Sequence, residues 1–62
     1  MRTEVIMTNG NAHLLAVEYD DFVKAVKNNL ENGIIFQEAE TILGRSITLK
    51  ISEISEVVAT QI

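Results

Sequence analysis

The sequence predicts an α+β fold in a single small domain, residues 1–62, with one helix packed on a bent antiparallel sheet or a partly open small barrel. Three observations lead there. The stretch Val17 to Gly33 has helical periodicity. The runs on either side are short, apolar and rich in β-branched residues. Asn9-Gly10 stands between two of those runs. The predicted order is β-β-α-β-β-β.

Thr3 to Thr8 reads as the first strand and Asn11 to Val17 as the second. Asn-Gly is the pair that a two-residue type I′ hairpin prefers, because both central residues need positive φ. Taken literally, that turn sets the register. Met7 faces Ala12, Val5 faces Leu14 and Thr3 faces Ala16 on an apolar side. Ile6 faces His13, Glu4 faces Leu15 and Arg2 faces Val17 on a mixed side. A hairpin with apolar groups on both faces has two surfaces to cover.

In the helix, Tyr19, Phe22, Val23, Val26 and Leu30 form one apolar stripe, with Ala25 beside them. Asp20, Asp21, Lys24, Lys27, Asn28 and Glu31 take the other face. Glu18 is the expected N-cap, with Val17 packing on Phe22 as a hydrophobic staple. Asn32-Gly33 supplies the left-handed stop. About four turns are not stable alone in water, so this helix needs a sheet beneath it.

Ile34-Ile35-Phe36 opens a third strand that runs to about Glu40. Thr41 to Arg45, with Gly44, is a loop that leaves Leu43 exposed. Ser46 to Ile51 alternates cleanly, with Ile47, Leu49 and Ile51 inward and Thr48 and Lys50 outward. Ser52 to Glu56 reads as a turn or a single 3₁₀ turn around Ile54. Val57 to about Gln61 forms the last strand. No proline interrupts these runs.

Composition narrows the functional classes. A chain of 62 residues buries only about 60% of its unfolded surface, so small domains usually lean on disulfides, a metal or a partner. There is no cysteine and only one histidine, which argues against a disulfide, a metal site or a cofactor clamp. By elimination the expected stabiliser is a second copy, and a homo-oligomer, with a dimer favoured, is the expected state. The net charge of −4, with five scattered basic residues, disfavours nucleic acid. No apolar run reaches the ~20 residues of a membrane span. Arg2-Thr3-Glu4 does not begin a signal peptide, and a cytoplasmic location is expected.

Chemistry-bearing residues are few. His13 is the one side chain that titrates near neutrality, and its strand position on the mixed face beside Ile6 gives it no implied nucleophile or second ligand. Asp20 and Asp21 are adjacent, so they point about 100° apart on a helix and suit its positive end better than a shared proton or metal. Glu38 and Glu40 share one strand face and, with Glu53 and Glu56, outline an acidic rim. Ser46, Ser52 and Ser55 lie in no nucleophile motif, and three glycines make no phosphate loop.

The early Asn-Gly turn, the helix start VEYDDFVKAV and the closing ITLKISEISEVV together resemble a loose group of small uncharacterised proteins common in Firmicutes and their prophages. The resemblance implies a bacterial or phage accessory protein and transfers no site residue. The reading that follows is a non-enzymatic protein-interaction module that self-associates. A second reading is a phage-type regulator or inhibitor that binds a host protein through the acidic surface of Asp20, Asp21, Glu38, Glu40, Glu53 and Glu56. A small-barrel nucleic-acid binder ranks third, and an enzyme last.

Overall fold

The computed structural model describes residues 1–61. Its elements are β1 (Arg2–Met7), β2 (Ala12–Glu18), α1 (Tyr19–Glu31), β3 (Phe36–Glu40), β4 (Ser46–Lys50), a 3₁₀ turn (Ile51–Glu53) and β5 (Ile54–Thr60). The α+β class and the predicted order hold. The sheet is two sheets: β2-β1-β5 and β3-β4, both antiparallel and not closed into a barrel. They meet where Leu15 bridges Thr41 and the Ile42 N–H donates to the Leu14 carbonyl at 3.0 Å.

The hairpin register differs from the expectation by one residue. Val5 lies opposite His13, Thr3 opposite Leu15 and Ile6 opposite Ala12. The reason is the turn. The Met7 N–H donates to the Asn11 carbonyl at 2.7 Å, and the Gly10 N–H donates to the Met7 carbonyl at 2.9 Å. Only Gly10 has positive φ, at 90°, so Asn9 does not adopt the type I′ geometry. The loop has three residues, Thr8-Asn9-Gly10, and not two. A shift of one residue exchanges the faces of a strand. Leu15, expected on the mixed side, is therefore buried with Val5, and Val17 packs against the same cluster. Ile6, Leu14 and Ala12 take the outer face.

β2 is irregular at the far end of this hairpin. Thr3 faces Leu15, but the next pair is Arg2 with Glu18, so Ala16 and Val17 form a bulge. Ladder partners are lost there, and side chains replace them. The Arg2 guanidinium donates to the Ala16 carbonyl at 2.6 Å, and the Thr3 hydroxyl donates to the Val17 carbonyl at 3.0 Å. Thr3 is the buried polar residue of the core, and this bond satisfies it.

The helix begins at the expected place. Glu18 is the N-cap residue, but its side chain makes no cap hydrogen bond. The end is a Schellman motif: the Ile34 N–H donates to the Asn29 carbonyl at 2.8 Å and the Gly33 N–H to the Leu30 carbonyl at 3.1 Å. Gly33 has the positive φ this requires. Phe22 is the fully buried residue of the helix, and it joins Val5, Leu15 and Leu49 in the core. Val26 packs against that cluster. Val23 and Leu30, expected in the stripe, are exposed. The buried face is centred between Phe22 and Asn29 instead. Asn29 Nδ2 donates to Gln37 Oε1 at 2.7 Å, tying the helix to β3.

Two boundaries near the end also move. The 3₁₀ turn is Ile51–Glu53, and Ile54–Glu56, expected in a turn, already belong to β5. Ile54 pairs with Met7 and Glu56 with Ile6, so Ser55 is the extra residue of a second bulge. Ile47 and Leu49 face inward as expected, and Leu49 is buried.

Candidate interaction surface

The described residues bury four large hydrophobics and leave nine exposed: Met1, Val23, Leu30, Ile34, Ile35, Phe36, Ile42, Leu43 and Val58. Some are consecutive. Ile34, Ile35 and Phe36 follow the helix stop and enter β3 about half exposed. Ile42 and Leu43 form the tip of the β3–β4 hairpin, and Leu43 is 82% exposed.

That tip has the same backbone as the first one. The Thr41 N–H donates to the Arg45 carbonyl at 2.8 Å, the Gly44 N–H donates to the Thr41 carbonyl at 2.9 Å, and Gly44 has φ of 83°. The first loop carries polar Thr8 and Asn9 at the equivalent places. Asn9 Oδ1 accepts the Asn11 N–H at 2.9 Å, a local use for a polar side chain. The turn therefore does not demand apolar residues. Beside Leu43 lies an open groove of about 450 Å³ walled by Ala12, Leu14, Ile42, Ile47, His13 and Arg45.

No protein family, curated protein or solved structure matches the chain. The reading of this surface therefore rests on its own geometry.

Asp20 and Asp21 are exposed in the first helical turn. Glu38 and Glu40 share the exposed face of β3, opposite Thr48 and Ser46. Glu53 ends the 3₁₀ turn, and Glu56 lies opposite Ile6 on β5. Among the described residues no three His, Asp or Glu side chains come close enough to hold a metal ion.

His13 is half buried opposite Val5, on the core side of the hairpin and not beside Ile6. It lines the apolar groove and a second open groove of about 320 Å³ that also has Asn11, Thr48, Lys50 and Glu53 in its walls. No hydrogen bond orients its ring among the described residues, whereas a general base is held by a partner on its second nitrogen.

Sequence reasoning gave Glu18 the role of helix N-cap and no ion pair. Its carboxylate accepts a hydrogen bond from the Met1 ammonium at 2.6 Å, which holds it below the usual carboxylate range, and Arg2 at 3.7 Å adds to the effect. This pair is solvent-exposed, so it fastens the strand to the helix start only weakly. Among the described residues no helix is long and apolar enough to cross a membrane.

Proposed function

We propose that this chain is a non-enzymatic protein-interaction module that self-associates, with a homodimer as its working form. The observation that carries this reading is the set of apolar residues left outside: nine large hydrophobics are exposed among the described residues, against four that are buried. A single exposed leucine is ordinary on any protein. Consecutive exposed apolar residues at a hairpin tip and after a helix stop are not, since each run costs solubility without serving the core. Full burial of one leucine is worth about 1.5–3 kcal/mol, so a second copy covering several of these sites gains enough to offset the entropy of association. The small core gives the same surface a second use, because a domain of this size gains stability from a partner that binds only its folded state.

Thermal unfolding measured against protein concentration tests the proposal. A dimer that dissociates on unfolding has a melting temperature that rises with concentration. The expected result is a rise of several degrees over a roughly hundredfold increase in concentration. A melting temperature that stays fixed over that range overturns it.

A further inference from the structure

The edges of the two sheets are not treated alike. The outer edge of β2 is met by the Leu15–Thr41 bridge and by the Ile42 N–H on the Leu14 carbonyl. The outer edge of β4 carries Lys50 at one end with Arg45 just before the other. Basic side chains are a usual guard of a free edge. At β5 the strand is seven residues long, has no lysine, arginine or proline, and carries one charge, Glu56. No strand pairs with its outer edge among the described residues. Its first residues are bulged at Ser55, which leaves Glu56–Val57–Val58–Ala59–Thr60 as a regular stretch of unguarded edge.

We propose that β5 pairs antiparallel with β5 of a second copy about a two-fold axis through Val58. This inference rests on the self-association proposed above and places one contact at β5, which of the nine exposed hydrophobics takes in Val58. The five residues are self-complementary in that register. Glu56 meets Thr60 of the second copy, Val57 meets Ala59, and Val58 meets itself. A two-fold axis perpendicular to the sheet keeps the core faces of both copies on one side, as antiparallel edge pairing requires. The one acid of the strand lies opposite a hydroxyl and never opposite its own copy, so no like charges are set against each other. Val58, exposed and on the outer face opposite Glu4, becomes the centre of the contact. The product is one continuous six-stranded sheet, β2-β1-β5 followed by the same order reversed, in which the free backbone groups of β5 find partners.

The chain has no cysteine, so single-cysteine variants give a clean test. Directly opposed residues of an antiparallel pair have Cα atoms about 4.5–5.5 Å apart, within the span of a disulfide. Under mild oxidation V58C is expected to form a covalent dimer about 10–100-fold faster than L43C, although Leu43 is the more exposed position, because pairing raises the local thiol concentration. V58K places two lysines face to face across the axis, while within one copy it lies opposite Glu4, which favours folding. It is expected to fold and to sediment as a monomer at concentrations where the unaltered chain is a dimer. Three results overturn the inference. If V58C and L43C cross-link at equal rates, or if folded V58K remains dimeric, the copies meet elsewhere and self-association survives without this interface. If the unaltered chain is a monomer throughout, both proposals fall together.

Discussion

Leu15 and Leu43 are the same residue in opposite settings. Leu15 is fully buried where the first hairpin, the helix and β4 meet, and Leu43 is 82% exposed at the tip of the second hairpin. Leu15 owes its place to the three-residue turn, whose register puts its strand face in the core with Phe22. Leu43 sits on a turn of the same geometry as Thr8-Asn9-Gly10, where polar residues serve well. The difference teaches that hydrophobicity alone does not choose the inside in a domain this small. Register chooses it. Four positions, Val5, Leu15, Phe22 and Leu49, make the buried core, and the apolar residues in excess of that space are presented outward. The fold is held by the first group and, on our account, put to use through the second.

Substitutions separate the two groups by size of effect. Phe22→Ala and Leu15→Ala empty the core, and each is expected to cost about 3–5 kcal/mol, enough to leave the chain unfolded by circular dichroism at 25 °C. A folded Phe22→Ala protein with an unchanged melting temperature would place the core elsewhere. Next in size is Thr3→Val, which keeps the shape and removes the hydroxyl that meets the Val17 carbonyl. Leaving that carbonyl unpaired is expected to cost about 1–3 kcal/mol in urea denaturation, and no loss at all would mean that water reaches the bulge.

The two turns allow a matched pair of smaller tests. Alanine at Gly10 or at Gly44 meets no neighbouring atom, so its cost is conformational alone. Each is expected to lose about 1–2 kcal/mol, and by similar amounts, because the backbone is the same. A large difference between them would break the equivalence of the hairpins. Smallest is Leu43→Ser, expected to change the stability of the monomer by less than about 0.5 kcal/mol. A larger loss, measured at a concentration too low for association, would show that Leu43 serves its own fold.

Much of the architecture was legible in the residues. The helix boundaries follow from its periodicity and from Asn32-Gly33, and the inward Ile47 and Leu49 follow from alternation. The hairpin register was not legible, because Asn-Gly suits two turns. Gly10 takes positive φ in either, and only the φ of Asn9 distinguishes a two-residue loop from a three-residue one. The hydroxyl partner of Thr3 depends on the bulge at Ala16 and Val17, which no local pattern announces. Val23 and Leu30 satisfy the helical period yet stay outside, because two narrow sheets cover less of a helix than one broad one. Asn29 holds an inward place through its bond to Gln37, a pairing between residues eight apart that periodicity alone does not reveal. Part of the candidate surface was legible: Leu43 was expected to be exposed, and it is. The unguarded edge of β5 needed the strand order, which short-range patterns do not fix.

The central claim is that apolar residues beyond the capacity of the core serve a second copy of the chain. Sedimentation equilibrium of the unaltered chain, from low micromolar to millimolar concentration, tests it most directly. The expected average mass rises with concentration from the monomer toward twice that value. A constant monomer mass across the whole range would contradict it.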